Sequence, residues 1–286
     1  DQNSLSLGMI DIALKKKTGK TSFVGEVSFG PRGAGQSIPD VAGQSFHIQN
    51  LYATYAASDK LSLTAGYMGT FIGYEVISPL GNYNYSTSYL FTNGPFQNAG
   101  VKANYAVSSK VGLMVGLFND QWNTYQATPK FGLNAFGAQL SVTPAEGLTA
   151  YFNLLTGSES GTIVDLTAAY QMSPKFKLGL NAADFSGTVS GTGYTGVALY
   201  PSYAITSSFG LGLRAESFKA KKSSDYSGVG NGSVTALTLS ANLKSGSLTL
   251  IPEIRLDSAS QQKFFQSNGA VTKSASQFAV AMVYGF

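Results

Sequence analysis

The sequence has no cysteine, a single histidine and few charged side chains, which make up 12% of its residues. The missing cysteine excludes a disulfide framework and thiolate-bound metal sites. Runs of the roughly 18–20 apolar residues that a membrane-spanning helix needs are missing as well. Because the excess of Lys and Arg over Asp and Glu is only 19 against 15 and forms no basic stripe, a nucleic-acid partner is not expected.

The composition is instead rich in glycine and aromatic residues, with 33 Gly, 18 Phe and 16 Tyr among 286 residues. Disordered chains are poor in aromatic residues and rich in charge, so this chain is expected to fold. Apolar residues alternate with small or polar ones at a spacing of two, for example in 61–67, 209–216 and 277–286. This period predicts β-strands with two different faces, and a helical period is not evident.

The alternation predicts about fifteen strands, each about as long as the 9–11 residues of a tilted membrane-spanning strand. They are expected at 3–14, 21–29, 46–57, 60–71, 98–107, 110–119, 131–143, 147–157, 162–172, 175–185, 194–206, 208–219, 233–244, 247–258 and 275–286.

The connections between these strands alternate between short turns and longer loops. The longer ones are 30–45, 72–97, 120–130, 186–193, 220–232 and 259–274. Short turns on one rim and long loops on the other are typical of a transmembrane antiparallel up-and-down β-barrel. A barrel of this many strands is too wide to be filled by side chains, so the apolar face is expected to meet lipid and the polar face to enclose water. Residues 1–286 are predicted to form one such domain.

The strand count is odd, whereas closed bacterial barrels normally have an even number of strands. An open sheet edge is not tolerated in lipid. We therefore expect one strand upstream of Asp1, for a total of about sixteen, unless the pattern hides one further strand or splits one in two.

The loop 72–97 is too rich in aromatic residues for a solvated linker, and long ordered loops are commonly functional. Two interpretations remain open: a segment folded into the lumen that narrows the pore, or an extracellular cap packed on its own aromatic side chains. The candidate constriction residues are Glu75, Asn82, Tyr83, Asn84 and Tyr85.

Several charged residues fall on the polar faces of the strands and are candidates for lining the lumen. They are Glu26, Lys102, Asp165, Lys177, Arg214, Glu216, Glu253, Arg255 and Asp257. Rings of charge filter ions in pores. The alternative is mutual pairing, with Glu253 and Arg255 opposite Arg214 and Glu216 two strands away. Since both signs are present, a weakly selective wet lumen is favoured, and an anion preference follows only if net positive charge faces the pore.

At the end of the sequence every second residue is aromatic or apolar, namely Phe278, Val280, Met282, Tyr284 and Phe286. This pattern resembles the closing-strand signal that the barrel-assembly machinery of the outer membrane reads. It predicts insertion into the outer membrane of a Gram-negative bacterium.

The region 60–120 also carries a family resemblance. Gly73 and Glu75 are followed by Asn82-Tyr83-Asn84-Tyr85-Ser86, Tyr89-Leu90-Phe91, Gly94-Pro95-Phe96 and Gly100-Val101-Lys102. These residues resemble a family of β-barrel porins of Gram-negative outer membranes (porin-L-like, Bacteroidetes-type). The resemblance implies an outer-membrane channel whose partners are membrane lipid, the assembly machinery and small hydrophilic solutes. It implies no catalytic residue and no cofactor.

An enzyme is not expected, because nucleophilic catalysis needs a base beside the nucleophile. The one histidine, His47, follows Ser45 and lies near Asp40, and a polar residue at the barrel rim explains it better. The glycine-rich stretches 30–35 and 228–232 lack the Lys-Ser/Thr of a phosphate loop. Lys15–Lys17 and Lys20 are expected on the short-turn rim, either solvated or against anionic headgroups.

These observations predict a porin that lets small hydrophilic solutes and ions diffuse passively across the outer membrane. The alternative is a structural or assembly barrel with a plugged lumen that docks partner proteins of a larger outer-membrane complex.

Overall fold

The computed structural model describes residues 4–32, 47–126, 132–221, 232–266 and 268–286. Asp40, Ser45 and parts of both glycine-rich stretches lie outside these residues. The strands are β1 Ile10–Thr18, β2 Thr21–Phe29, β3 His47–Ala56, β4 Leu61–Gly69, β5 Gln97–Ala106, β6 Val111–Phe118, β7 Ala135–Ala145, β8 Leu148–Gly157, β9 Gly161–Gln171, β10 Phe176–Ser186, β11 Gly193–Ala204, β12 Phe209–Ala220, β13 Ser233–Ser245, β14 Leu248–Ala259, β15 Phe264–Phe265, β16 Val271–Thr272 and β17 Ser274–Tyr284.

Fifteen of the strands form one sheet in chain order, with β17 next to β14, and the described registers are antiparallel. The all-β, up-and-down prediction is therefore confirmed. Strands β15 and β16 form a separate two-stranded ribbon inside the connection 260–273, where the sequence predicted a loop.

The two faces of a strand are buried to very different extents, and the apolar face is the exposed one. On β13, Leu239 is 48% exposed, whereas the neighbouring Ser240 is fully buried. On β6, Leu113, Val115 and Leu117 are likewise exposed. A water-soluble sheet would have the opposite arrangement, so these strands carry the faces expected of a membrane wall.

The short turns share a local mechanism that the sequence repeats. Ser58, Ser108 and Ser173 each place a side-chain oxygen where it accepts hydrogen bonds from the N–H groups two and three residues later. Thr206 does the same before β12. Hydroxyl side chains that bond to nearby N–H groups stabilise tight turns. This chemistry stabilises these four turns.

The start of the chain differs from the prediction of a strand at 3–14. Strand β1 begins at Ile10 and continues to Thr18, so Lys15–Lys17 lie in the strand, and only Lys20 lies in the turn. Lys15 and Lys17 lie on the face of Asp11, whereas Lys16 lies on the face of Ile12 and Leu14. The lysines therefore interrupt the apolar alternation, but the pairing with β2 continues through them.

Two compact units can be distinguished. The first comprises Asp1–Ile72, Pro95–Leu140 and Asn153–Ser160, and the second comprises Gly73–Gly94, Ser141–Phe152 and Gly161–Phe286. A helix long and apolar enough to cross a membrane is not found among the described residues.

Candidate channel site

The segment Gly73–Gly94, termed the anchored segment, belongs to the second unit. It contains a 3-10 turn at Pro79–Gly81 and a short helix, α1, at Tyr89–Asn93. Asn82 closes the first half of the segment on itself, because its side chain accepts from the Val76 N–H at 3.0 Å and donates to the Val76 carbonyl at 2.6 Å. The hydroxyl of Ser88 accepts from the Phe91 N–H and caps α1. The segment therefore has ordered backbone of its own.

A buried ion pair joins the anchored segment to β12. The Arg214 guanidinium donates to Oε1 of Glu75 at 2.9 Å, and both side chains are almost fully buried. The same guanidinium donates to the carbonyl and the hydroxyl of Ser86 and to the Thr238 hydroxyl. The other carboxylate oxygen of Glu75 accepts from the N–H and the hydroxyl of Ser88. Arg214 thus ties two parts of the segment to the polar face of β12.

Glu216, two residues along the same face of β12, holds the start of α1. Its two carboxylate oxygens accept from the N–H groups of Tyr89 and Leu90 at 2.9 and 2.8 Å. The first N–H groups of a helix have no partner inside the helix and carry partial positive charge, so a carboxylate satisfies them well. Glu216 is only 2% exposed, so these bonds are shielded from water.

Glu253 on β14 binds the middle of the segment in the same way. Its carboxylate accepts from the N–H groups of Tyr85 and Ser86 at 2.7 and 3.0 Å, and from the hydroxyl of Ser240 at 2.7 Å. Asn84 in turn donates to the Ser240 hydroxyl at 2.7 Å. The ring of Tyr85 packs against buried apolar residues of β14 and β17.

Arg255 and Asp257, also on β14, complete this wall. The Arg255 Nε donates to both Asp257 oxygens at 2.9 and 3.0 Å, and its Nη1 donates to the Thr87 carbonyl. Arg255 also lies 5.0 Å from the ring centre of Tyr89. Burial and then the Asp257 carboxylate raise the pKa of Tyr89 to about 12, so its hydroxyl remains a neutral donor to Asp257.

Asp165 on β9 fixes the beginning of the segment. One of its oxygens accepts from the Gly73 N–H at 3.1 Å, and the other accepts from the Asn181 side chain. Gly73 has φ +90°, a left-handed conformation that glycine adopts without the strain of a side chain. The chain can therefore turn at this residue and enter the segment.

Glycines on the wall receive the apolar side chains of the anchored segment. A Cβ added to Gly212 would lie 2.2 Å from the Tyr83 ring, and one added to Gly179 would lie 2.4 Å from the Tyr74 ring. Leu90 occupies the space over Gly196 in the same manner. Tyr74 also stacks on Tyr200, with ring centres 4.6 Å apart. These strand glycines are therefore sites of close approach, a role that glycine often has in strands.

The structure brings together most of the residues that the sequence singled out, but with different partners. The alternative of mutual pairing of Glu253 and Arg255 with Arg214 and Glu216 is not what the structure shows, because Arg214 pairs with Glu75 and Arg255 with Asp257. Strands two apart in a sheet are separated by about 10 Å, and the anchored segment supplies nearer partners. Lys102 and Lys177 take part in none of the ion pairs found among the described residues. Glu26 accepts from the Asn50 side chain.

Several contributors do not follow from the sequence. Ser86 was noted only as part of the family resemblance, and no role was predicted for Ser88. The wall glycines were noted only as small residues of the polar faces. A serine that precedes a short helix is a capping signal that could have identified Ser88. The proposed assembly residues Phe278, Val280, Met282 and Tyr284 lie exposed on β17, and Phe286 follows it, 93% exposed. Their role in assembly stays a prediction.

The first unit has an anchor of its own at Asp120, which the sequence did not predict. Its carboxylate accepts from the N–H groups of Glu159 and Ser160, at 2.9 Å each, and from the hydroxyls of Ser158 and Ser160. Burial opposes ionisation, but these hydrogen bonds outweigh it and lower the pKa of Asp120. The bonds hold Ser158–Ser160, a three-residue connection on the rim where most loops are long.

His47, the one histidine, is buried at the start of β3 opposite Ser28. The described residues contain no group of three or more His, Asp or Glu side chains arranged to hold a metal ion.

Residues 1–286 match the sequence profile of the family described as "Putative beta-barrel porin-2, OmpL-like". No curated protein sequence matches. Among solved structures, Acinetobacter baumannii OccAB4 is similar with a TM-score of 0.61 and 11% identity over 97% of this chain and 81% of that chain. OmpT of Vibrio cholerae has a TM-score of 0.55 and 9% identity, over 94% and 86% of the two chains. A mutant of the Rh. blastica porin has a TM-score of 0.55 and 15% identity, over 86% and 83%.

The structural neighbours share the fold, and the family match extends over the whole sequence. Together they support a location in the outer membrane of a Gram-negative bacterium, with strands that contact membrane lipid. They also support an outer-membrane porin. The chain belongs to the β-barrel porins of the OmpL-like porin-2 family.

Proposed function

We propose that this porin is a passive diffusion channel for small hydrophilic solutes and ions, and that the anchored segment sets its limiting width. Passive diffusion requires a polar, hydrated path and no catalytic group. The polar faces of the strands supply such a path, because the apolar faces are the exposed ones.

The observation that carries the proposal is how the anchored segment is held. Its backbone N–H groups are bound by carboxylates that stand on the polar faces of β9, β12 and β14. A long loop on the outside of a barrel would have no reason to bond to the polar wall faces. This bonding supports the interpretation in which the segment narrows the lumen over the one in which it forms an outer cap.

The test is conductance in planar lipid bilayers. The wild-type porin is expected to insert into the bilayer and to raise the current in steps, one for each water-filled channel. A variant whose residues 74–93 are replaced by a short Gly-Ser linker should have a single-channel conductance larger by about twofold or more, because a narrower constriction conducts less. As a matched control, the connection 187–192 between β10 and β11 is shortened, and its conductance should stay at the wild-type value.

The refolded state of each variant is checked by resistance to unfolding in detergent before it is measured. A wild-type barrel that inserts but does not conduct would contradict the proposal. If the linker variant then conducted, the lumen of the wild type would be plugged, as in the alternative of a structural barrel that docks partner proteins. Equal conductance of wild type and linker variant would contradict the role of the anchored segment.

A further inference from the structure

The tip of the anchored segment, residues 76–82, is placed by the two tyrosines that flank it. The ring of Tyr74 stacks on Tyr200, which lies near the end of β11 where a short turn leads to β12. A Cβ added to Gly210, near the start of β12, would lie 2.4 Å from the hydroxyl of Tyr83. Both contacts are close to the same short turn, so the tip lies toward the short-turn end of these strands.

A third contact places the tip itself. A Cβ added to Gly285, which follows β17, would lie 3.4 Å from the Leu80 side chain. The N–H of Gly285 donates to the carbonyl of Ser247, in the short turn between β13 and β14. In outer-membrane barrels the short turns face the periplasm. Within the second unit, the anchored segment therefore reaches the periplasmic end of the strands.

The tip leaves two apolar side chains uncovered. Val76 is 46% exposed and Leu80 is 59% exposed, whereas Glu75, the charged residue of the segment, is buried. The two hydrogen bonds between Asn82 and the backbone of Val76 close the tip on itself and fix its shape. The other exposed side chain of the segment is the polar Thr92 in α1. The exposed side chains at the periplasmic end of the segment are therefore apolar.

Uncovered apolar side chains in a narrow, water-filled passage act differently on different solutes. They offer no hydrogen bond to replace the water around an ion, and narrow apolar constrictions in channels oppose the entry of water and ions. A solute with an apolar group is opposed less, because removing apolar surface from water is favourable by about 25 cal/mol per Å². Such side chains therefore select solutes by polarity.

We propose that Val76 and Leu80 form an apolar constriction at the periplasmic end of the channel and determine its specificity. This inference rests on the proposed function, in which the anchored segment sets the limiting width. The favoured solutes are small uncharged or zwitterionic molecules that carry an apolar group. Molecules of the same size that carry a hydroxyl group instead, and hydrated ions, pass more slowly.

The test is the rate of swelling of liposomes that contain the full-length porin, with the free amino acids valine and threonine as probes. The two probes have the same shape and charge and differ in a methyl group against a hydroxyl. The wild type should admit valine about twofold faster or more, because that methyl group is apolar. The double variant Val76→Thr with Leu80→Asn keeps similar side-chain shapes and should bring the two rates close to equal.

Val189→Thr is the matched control, because it makes the same replacement at a 66% exposed side chain in the connection between β10 and β11. It should keep the wild-type preference. Chymotrypsin protection of the segment, measured on the same samples, should be that of the wild type if the double variant leaves the segment attached. Equal rates in the wild type, or an unchanged preference in the double variant, would overturn the inference while leaving the porin function intact. Failure of both probes to enter would count against the proposed function itself.

A second measurement does not depend on the stability of the double variant. The sequence has no cysteine, so Leu80→Cys introduces a single thiol. In planar bilayers, a charged, water-soluble methanethiosulfonate reagent should lower the single-channel conductance of Leu80→Cys by about half, because the attached group narrows the passage. Val189→Cys should react without this loss. An unchanged conductance after complete labelling of Leu80→Cys would show that Leu80 does not line the constriction.

Discussion

The polar faces of β4–β6 and of β12–β14 have similar sequence patterns, but their side chains bond to different partners. On β12–β14, Arg214, Glu216 and Glu253 are buried, and each bonds to the anchored segment. On β4 and β5, Thr64 bonds to Thr54 of the adjacent strand, and Lys102 makes none of the ion pairs found among the described residues. The β4–β6 face is buried as well, at Thr64, Met114 and Phe118, but the hydrogen bond of Thr64 stays within its own sheet.

The comparison shows that two buried polar strand faces can bond to different partners. The exposed faces of the two regions are equivalent, since Leu117 and Leu239 are exposed to nearly the same extent. Lipid requires only that the outward side chains be apolar. The inner faces are free to differ, and in this protein the second unit uses its carboxylates to hold a segment with no charged residue besides Glu75.

Removing Arg214 should loosen the anchored segment more than any other single substitution. In Arg214→Met the Glu75 carboxylate loses its cation, and an unpaired buried charge costs about 3–5 kcal/mol. We expect the segment to detach so that Glu75 becomes hydrated. Cleavage by chymotrypsin at the aromatic residues of the segment should then become about a hundredfold faster or more, because each 1.4 kcal/mol is about a tenfold change in the opening equilibrium, and single-channel conductance should rise.

Lys102→Met is the matched control in the first unit, and it should change neither cleavage nor conductance. Adding Glu75→Gln to Arg214→Met removes the unpaired charge and should recover part of the protection. Wild-type protection in Arg214→Met would mean that the ion pair does not hold the segment, and the comparison between the two regions would lose its main support.

The fold followed from the sequence to within a few residues for nearly every strand, because alternation of period two reflects a constraint that lipid and water impose at each position. Strand β12, expected at 208–219, is found at Phe209–Ala220. Strand β1 was misplaced because Lys15–Lys17 interrupt the apolar pattern without interrupting the strand. The ribbon of β15 and β16 has only two residues per strand, too few to show a period.

The site could be predicted only as a set of residues. Glu75 and Tyr83 were assigned to the constriction, and Glu216 and Glu253 to the polar face, but the bonds between segment and wall join residues 92 to 168 positions apart. Sequence shows which side chains share a face and not which backbone N–H group will lie opposite them. The close approach of tyrosine rings to Gly179 and Gly212 could not be predicted for the same reason.

A smaller effect is expected where the segment is held by shape instead of charge. In Gly212→Ala the new Cβ would lie 2.2 Å from the Tyr83 ring, so the ring has to move, at a cost of about 1–3 kcal/mol. Chymotrypsin cleavage at the segment should increase, but less than in Arg214→Met. Gly25→Ala in the first unit, where the nearest atom is at 3.2 Å in the Phe23 ring, should leave cleavage unchanged. The double variant Gly212→Ala with Tyr83→Ala separates a clash from a general loss of stability, since relief of the clash should restore protection that a destabilised strand would not regain.

The smallest expected effect is the pH dependence of the turn that Asp120 holds in the first unit. Its pKa is lowered from the ordinary 3.8, so the stability that it gives to Ser158–Ser160 is fully present above that value. This stability is lost as the pH falls below 3.8 and through the lowered pKa. The equilibrium constant for local opening should rise by at most about tenfold per pH unit.

Hydrogen exchange of the Glu159 and Ser160 amides, corrected for intrinsic rates, should show this loss of protection in acid. Asp120→Asn should show weaker protection that does not depend on pH in this way. The amides of Lys175 and Phe176, held by the hydroxyl of Ser173, provide the internal control because a hydroxyl does not titrate in this range. Protection of Glu159 and Ser160 that stays constant from neutral pH to well below 3.8 would show that Asp120 does not hold this turn through its charge.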